Sequence, residues 1–208
     1  MAAEYLPRIA DELLEKRLSY AGAVLIRGAK WCGKTRTAEQ QAKSALYLQD
    51  PDTRASNLEL AEAKPSILLR GDKPRLIDEW QDAPQLWDAV RYAVDREREA
   101  GSYILTGSAT PYASPRHTGA GRIASLDMLP MSLYESGDST GEVSLRSLFE
   151  GGDPDGHSPA DVETLAQLTC RGGWPWAVVS AGADARLETA YNLVDTICMS
   201  FLVQFDRQ

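Results

Sequence analysis

The residues with the most definite chemistry lie at positions 28–35, which read GAKWCGKT. Gly28, Gly33, Lys34 and Thr35 satisfy the pattern G-x-x-x-x-G-K-[ST], in which backbone N–H groups surround phosphate oxygens. The second glycine of this pattern permits close approach, the lysine reaches the outer phosphates, and the threonine hydroxyl binds Mg²⁺. The sequence therefore predicts a phosphate-binding loop. The residues expected to contact the bound nucleotide are Gly28, Ala29, Lys30, Trp31, Cys32, Gly33, Lys34, Thr35 and Arg36.

The segments on either side of this loop favour phosphate binding over a chance match. The apolar run AVLIRG at 23–28 predicts a buried strand, and the run GKTRTAEQQAKSA at 33–45 predicts a helix. A strand, a glycine-rich loop and a helix N-terminus in this order form an anion-binding site. Trp31 is expected to face outward, and packing explains Cys32 better than an oxidation-sensitive role does.

Two adjacent carboxylates follow another apolar stretch, in PRLIDEW at 74–80. Asp78 is predicted to hold the metal through water, and Glu79 to accept a proton from an attacking water molecule. This adjacent pair indicates a hydrolysing ATPase with Mg²⁺-ATP as its ligand. A GTPase is disfavoured because the chain has no NKxD motif. The alternative is a solvated acidic pair at the end of a strand.

Other polar residues follow or lie near the predicted fourth strand. Thr106 and Ser108, in ILTGSAT, are predicted to face the γ-phosphate and orient the attacking water, although they could equally cap the next turn. Arg122 and Arg171 are candidates for stabilising charge in the transition state, and Arg171 is expected to begin a helix. The alternative for each arginine is a surface salt bridge or a carbonyl contact.

The order of the elements predicts a parallel α/β sheet. A helix within residues 4–20 comes before the first strand, and amphipathic segments at 53–64 and 83–100 predict further helices. The strands are expected at 23–28, 45–50, 74–80, 102–108 and within 122–135.

The character of the sequence changes near residue 136, where Gly-, Ser- and Asp-rich linkers begin. Helical segments are expected at 144–149, 159–169, 174–182 and 185–203. We therefore predict a core at residues 1–140 and a helical or winged-helix-like lid at residues 141–208. Apolar residues near the end of the chain raise the hypothesis of self-association, against the alternative that this helix packs on its own lid. These residues are Ile197, Phe201, Leu202 and Phe205.

Composition excludes several other classes of protein. The chain has 208 residues, is 43% hydrophobic and lacks the ~20 consecutive apolar residues of a membrane helix. The first 18 residues also lack the apolar core of a signal peptide, so a soluble, cytoplasmic protein with no membrane partner is expected. Three separated cysteines and two histidines argue against disulfides and zinc. Residues 123–208 hold 4 Lys+Arg against 13 Asp+Glu, so charge gives no indication of nucleic-acid binding.

Five sequence blocks occur in an order that resembles a known family. They are GAVLIRGAKWCGKT, PRLIDEWQDAP, YILTGSATP, HTGAGRIASLDMLPMSLYE and RGGWPWAV. Together they resemble prokaryotic AAA+-type P-loop ATPases of unknown function that carry an uncharacterised C-terminal domain. The resemblance implies an additional-strand core with strand order 5-1-4-3-2, the site roles given above, and a helical lid. It also implies that Tyr5, Leu6 and Arg8 border the adenine.

Members of this family continue into a further domain, whereas this chain stops at Gln208. A truncated lid is therefore expected, and an unknown protein partner is expected to be chosen through the absent domain. The function predicted by sequence is weak or partner-dependent ATP hydrolysis, with a homo-oligomer as one form of partner. The alternative is a nucleotide-dependent switch with little hydrolysis. Phosphoryl transfer to a small molecule is disfavoured because the lid is acidic and poor in arginine.

Overall fold

A computed structural model describes residues 5–108 and 118–205, without the side chains of residue 108 and residues 200–205. The chain forms two compact units. The first unit is Pro7–Leu129, and the second combines Met1–Leu6 with Pro130–Gln208. The first unit contains all five strands of the sheet, and the second is built from helices and connecting segments.

The first unit alternates strands and helices, as the sequence predicts. Its helices are α1 (Ile9–Leu18), α2 (Lys34–Glu39), α3 (Arg54–Ala63) and α4 (Gln85–Glu97). Its strands are β1 (Ala23–Gly28), β2 (Ser44–Tyr47), β3 (Arg75–Asp78), β4 (Tyr103–Ser108) and β5 (Ile123–Met128). Short 3₁₀ turns lie at Pro65–Ile67 and Trp80–Asp82.

The five strands form one parallel sheet in the order β2-β3-β4-β1-β5. This confirms the predicted order 5-1-4-3-2. The central strands are buried on both faces, which explains their nearly continuous apolar sequence. Their most buried side chains are Val24, Ile26, Leu76, Ile77, Ile104 and Leu105. The carboxyl ends of these strands lie at one edge, so the segments that follow β1, β3 and β4 are brought together.

Helix α4 packs on the sheet through the face that its periodicity predicts. Leu86, Val90 and Val94 are buried, and the rings of Trp80 and Trp87 lie with centroids 4.9 Å apart. This arrangement anchors the segment after β3 to the core, because Trp80 lies two residues beyond Asp78. Burial of each large side chain contributes about 1.5–3 kcal/mol.

Several predicted elements are shorter in the structure, among them the helix after the phosphate loop and the third strand. Helix α2 ends at Glu39 instead of near residue 45, because the chain must turn to place β2 beside β3. The Lys43 N–H already donates to Pro74 O at 2.8 Å, one residue before β2 begins. Strand β3 ends at Asp78 instead of near residue 80, because Glu79 adopts a left-handed backbone conformation.

The second unit contains α5 (Leu145–Phe149), α6 (Val162–Arg171), α7 (Pro175–Val179) and α8 (Ala183–Phe205). Arg171 is the last residue of α6, so the prediction that it begins a helix is wrong. Its guanidinium is buried and donates to Asp138 Oδ2 at 2.8 Å and to Ser136 Oγ at 3.3 Å. The salt bridge to Asp138 and the bond from Arg171 Nε to Gly172 O at 3.1 Å agree with the alternative interpretation, except that the residue is buried and not on the surface. Arg171 thus ties the segment after residue 130 to the end of α6.

Within the described part of the chain, no helix combines the length and apolar character needed to span a membrane. Ile197 is half-buried, while the side chains of Phe201, Leu202 and Phe205 lie outside the described residues. The self-association hypothesis for this segment therefore stays a prediction. The domain boundary expected at residue 140 also stays a prediction.

We expect Asp138→Asn to destabilise the second unit by about 3 kcal/mol, because it leaves the buried Arg171 charge without its anionic partner. Burial raises the pKa of Asp138, whereas the hydrogen bonds from Ser136 and Arg171 lower it by a larger amount. The net pKa therefore lies below the ordinary value of 3.8. The stabilisation is therefore complete above pH ~3.8 and is lost as the pH falls through the lowered folded-state pKa.

Urea unfolding followed by circular dichroism measures this difference at neutral pH and below pH 4. Asp155→Asn is the matched control, because Asp155 is an exposed acid of the same unit. Equal stability of the Asp138→Asn and Asp155→Asn variants at neutral pH would show that the buried ion pair contributes nothing.

Candidate functional site

The candidate site lies where β1, β4 and β3 end side by side. Gly28 at the end of β1 is in register with Ser108 at the end of β4, and Ile77 of β3 is in register with Leu105 of β4. Residues that are separated by up to eighty positions in sequence are therefore neighbours at this edge. Ligands of open parallel sheets bind beyond this carboxyl edge.

The loop from Gly28 to Gly33 depends on close backbone packing at its first residue. A Cβ added to Gly28 would lie 2.1 Å from Met128 O of the neighbouring strand β5, closer than any real Cβ contact. Gly33 has φ 104°, a value that glycine adopts without steric cost. The first glycine therefore serves sheet packing, and the second serves the turn into α2.

Lys34 is the first residue of α2, and its side chain folds back along the loop. Its ammonium group donates to Gly28 O at 3.1 Å and to Ala29 O at 2.9 Å, and the residue is only 5% exposed. A buried ammonium held by two carbonyl oxygens provides a fixed positive charge in the centre of the loop. This charge and the N-terminus of α2 both favour an anion.

The middle of the loop departs from ordinary backbone geometry. Trp31 has φ 66° and is 55% exposed, with the Lys30 ammonium 5.9 Å from its ring centroid. The predicted outward orientation of Trp31 agrees with this geometry. A non-glycine residue in this backbone region costs about 1–2 kcal/mol, and such strain is common in ligand-binding loops. The Arg36 side chain, on α2, pairs with Glu39 of the same helix at 3.0 Å.

Cys32 is fully buried beneath the loop, and its thiol lies 3.6 Å from Met128 O. Burial raises the pKa of this thiol, although the charges of Lys34 and Arg8 oppose the shift. The neutral thiol is therefore favoured at physiological pH. This agrees with the packing role that the sequence favours for Cys32.

A single carboxylate oxygen joins the loop helix to the central strands. Asp78 Oδ1 accepts hydrogen bonds from Thr35 Oγ1 at 2.7 Å and from Thr106 Oγ1 at 2.6 Å. The three side chains come from α2, β3 and β4. The structure thus brings together the predicted metal-site residues Thr35 and Asp78 with the predicted sensor Thr106.

This donor set fits Mg²⁺ bound to a nucleotide. Mg²⁺ in such sites takes one or two protein oxygens and draws its other ligands from phosphate and water. The Thr35 hydroxyl and the Asp78 carboxylate are oxygens of the required type beside the phosphate loop. Among the described residues, no group of three or more His, Cys, Asp or Glu side chains forms a separate metal cage.

Glu79 follows Asp78 in a left-handed backbone conformation, with φ 56° and ψ 49°. Its N–H donates to Thr106 Oγ1 at 3.3 Å, so Thr106 contacts both acids. The carboxylate of Glu79 accepts a hydrogen bond from Gln81 Nε2. In the structure, Glu79 is therefore turned along its own chain toward Gln81.

Gln81 is a neighbour of this site that the sequence interpretation did not single out. Its amide packs against Gly107, where an added Cβ would lie 2.5 Å from Gln81 Oε1. That buried oxygen has no hydrogen-bond partner among the residues that the structure describes. Because Gly107 of β4 has no side chain, the Gln81 amide can occupy the space beside Glu79.

The structure gives the other predicted site residues contacts of their own or does not describe their side chains. Arg122 Nε donates to Asp95 at 2.7 Å and its Nη1 to Ala120 O at 3.1 Å, so its guanidinium is held beside α4. The hydrogen bond from Arg122 lowers the pKa of Asp95 below its ordinary value. The backbone of Ser108 ends β4, but its side chain lies outside the described residues. Arg171 lies in the second unit with Asp138.

The expectation that Arg8 borders the adenine stays a prediction, and the structure shows two contacts of its side chain with backbone carbonyl groups. The residue is 7% exposed, and its guanidinium donates to Cys32 O and to Leu129 O, each at 2.8 Å. One of these carbonyl groups belongs to the phosphate loop, and the other follows β5. The signal in the sequence is weak, since Arg8 lies 24 residues before the loop carbonyl that it binds.

Tyr47 at the end of β2 donates to Glu39 Oε1 at 2.8 Å. Loss of solvent and the hydrogen bond to Glu39 raise the pKa of Tyr47 to about 12. The phenol is therefore neutral throughout the physiological range. Tyr47 can donate a hydrogen bond at this edge of the sheet but does not act there as a base.

The five-stranded parallel sheet, with β4 inserted between β1 and β3 and the phosphate loop after β1, defines a P-loop NTPase core of the additional-strand type. A sequence profile for the AAA domain matches residues 20–137, which is more than half of the chain. The protein belongs to this AAA domain family. It therefore contains an AAA-type nucleotide-binding ATPase module.

Comparison with solved structures supports the same fold. The Walker-type ATPase PABY2304 of Pyrococcus abyssi superposes with a TM-score of 0.57 at 15% sequence identity, over 98% of this chain and 76% of that chain. PCH-2 of C. elegans has a TM-score of 0.40 at 13% identity, over 88% of this chain and 66% of its own. No curated protein sequence matches. At 15% identity the similarity to PABY2304 shows the fold alone.

The location of the three cysteines predicts a clear difference in alkylation. We expect iodoacetamide at pH 8 to modify Cys170 and Cys198 rapidly, because both are exposed, and to modify Cys32 at least about tenfold more slowly. Peptide mass spectrometry over time measures the three rates. Modification of native Cys32 at the rate seen in urea would contradict its burial beneath the loop.

Proposed function

We propose that this protein binds Mg²⁺-ATP at the loop formed by residues 28–35 and hydrolyses it slowly or in a partner-dependent way. The observation that carries the proposal is the convergence of Thr35 and Thr106 on Asp78 Oδ1, beside the buried Lys34 ammonium. A phosphate loop, a metal-side carboxylate and a polar β4 residue are the parts that phosphoryl transfer to water requires.

The loop residues supply binding and orientation. Lys34 exchanges its bonds to Gly28 O and Ala29 O for phosphate oxygens, and the backbone N–H groups at the start of α2 point toward the same anion. The nucleotide-contacting set is the one predicted from sequence, from Gly28 to Arg36. Thr35 and Asp78 would hold Mg²⁺, and the bound ion would neutralise phosphate charge.

Glu79 accepts a proton from the attacking water, and Thr106 holds Asp78 and the Glu79 backbone in fixed positions. Ser108 at the end of β4 is proposed to orient the same water. To act as a base, the Glu79 carboxylate turns from Gln81 toward the γ-phosphate. The need for this rearrangement supports a slow intrinsic rate.

Arg122 is proposed as the residue that stabilises transition-state charge, after release from Asp95. Its side chain is 44% exposed, so the ion pair is screened by solvent and can be exchanged. An arginine supplied by a second copy or another partner would serve the same purpose. This is why turnover is proposed to depend on a partner, with a homo-oligomer as one such assembly.

A nucleotide-dependent switch with little hydrolysis is the second candidate. It is favoured by the same two contacts, since Glu79 is bonded to Gln81 and Arg122 to Asp95. In that case nucleotide occupancy changes the lid at residues 141–208 and a protein partner senses the change. The two candidates differ in whether Glu79→Gln alters a measurable turnover.

The direct test measures ATP turnover with Mg²⁺ for the wild type, Lys34→Ala and Glu79→Gln. We expect Lys34→Ala to lose nucleotide binding, and Glu79→Gln to bind ATP with turnover reduced at least about 100-fold. Lys43→Ala and Glu62→Gln are the controls, because both residues are exposed and lie outside the site. Wild-type binding without turnover under all conditions would favour the switch, and absence of nucleotide binding would reject both candidates.

Thr106→Val tests the role of β4 separately. The variant keeps the side-chain shape but removes the donor to Asp78 and the acceptor for Glu79 N–H. Hydrogen bonds to charged groups contribute about 1.5–3 kcal/mol, so we expect turnover to fall about 10- to 100-fold while ATP binding weakens less.

Steady-state kinetics beside equilibrium ATP binding separates these two effects. Thr169→Val serves as the control, since Thr169 is exposed and its hydroxyl donates to Leu165 O of its own helix α6. Unchanged turnover of Thr106→Val would remove Thr106 from the proposed site.

A further inference from the structure

Arg8 connects the start of the first unit to the phosphate loop. Its backbone is fixed by the capping contacts of α1, since Arg8 N–H donates to Asp11 Oδ2 at 2.8 Å and Asp11 N–H donates to Arg8 O at 3.0 Å. Its side chain then spans from Cys32 O to Leu129 O, with both hydrogen bonds at 2.8 Å. A guanidinium buried to this degree holds two backbone carbonyl groups in one geometry.

The bond to Cys32 O determines the direction of a peptide group that lies in the loop. In a planar trans peptide, the C=O and N–H bonds point in opposite directions. Because Arg8 holds the Cys32 carbonyl on its own side of the loop, the N–H of Gly33 must point to the other side. Cys32 is also held by the hydrogen bond from its N–H to Ala29 O and by its thiol beside Met128 O.

We propose that Arg8 is a positioning residue that orients the Cys32–Gly33 peptide so that the Gly33 N–H faces the bound phosphate. This inference rests on the proposed nucleotide binding at the loop. In this proposal Arg8 acts through the peptide group that it holds. Its second bond, to Leu129 O, fixes the guanidinium against the chain after β5. Arg8 therefore holds the loop at a fixed position relative to the end of β5.

Arg17 provides a matched comparison on α1. Its Nε donates to Ser125 O of β5 at 3.0 Å and its Nη1 donates to Leu13 O at 3.2 Å. Arg17 thus binds a carbonyl group of β5 as Arg8 binds the one just after β5, but these two hydrogen bonds of Arg17 lie outside the phosphate loop. Loss of Arg17 therefore reports the general effect of removing an arginine from this helix and its flank.

The experiment compares the wild type with Arg8→Ala, Arg8→Lys and Arg17→Ala. Amide ¹⁵N–¹H spectra of the nucleotide-free proteins report on Gly33, and titration with Mg²⁺-ATP gives the Kd. We expect the Gly33 resonance to move in both Arg8 variants and not in Arg17→Ala. We expect Kd to rise at least about tenfold in the Arg8 variants, with Arg17→Ala within about twofold of the wild type.

Lysine retains the charge but cannot hold both carbonyl groups in the planar geometry of the guanidinium, so Arg8→Lys separates orientation from charge. If Arg8→Ala does not fold, the Arg8→Lys variant still provides the test. Adding about 10 mM guanidinium chloride, against an equal concentration of sodium chloride, is expected to lower the Kd of Arg8→Ala and restore the position of the Gly33 resonance.

A Gly33 resonance that is unmoved in folded Arg8 variants would overturn the proposal. An equal rise in Kd for Arg17→Ala would also overturn it, because the effect would then follow stability and not the loop peptide. If the wild type itself binds no ATP, the proposed function fails. In that case the Gly33 resonance alone decides whether Arg8 orients the peptide.

Discussion

The site depends on the shared acceptor Asp78 Oδ1, which receives the hydroxyl groups of Thr35 and Thr106. These bonds connect the helix after the phosphate loop to two neighbouring strands, and so set the distance between phosphate-binding and acidic residues. The parallel sheet makes them possible because β3, β4 and β1 end at one edge. A Mg²⁺ ion held by Thr35 and Asp78, as proposed, would lie beside this shared acceptor.

Buried arginines fix the parts of each unit that have no regular secondary structure. Arg8 joins the phosphate loop to the chain after β5, and Arg171 joins the segment near Asp138 to the end of α6. Both use the several N–H donors of one guanidinium to satisfy oxygens far apart in sequence. Glu79 and Trp31 of the first unit adopt left-handed backbone conformations, which is typical of sites where rigid surroundings hold a costly conformation.

The sheet order and the α4 face could be predicted because they follow from local periodicity and from the rules of parallel sheets. The phosphate loop was predictable because its chemistry demands particular residues at a fixed spacing. The orientation of Glu79 was not, since it depends on a left-handed backbone and on the room left by Gly107 beside Gln81. The contacts of Arg8 and Arg171 were missed because each joins segments that only tertiary packing brings together.

The central claim is that the loop recognises the outer phosphates of ATP. Titration calorimetry of the wild type with ATP, ADP, AMP and adenosine, each with Mg²⁺, tests it most directly. Lys34 and the N-terminus of α2 can contact the β- and γ-phosphates, so ATP and ADP should bind at least about 100-fold more tightly than AMP or adenosine. Equal affinity for AMP and ATP, or no binding of ATP at millimolar concentration, would contradict the account.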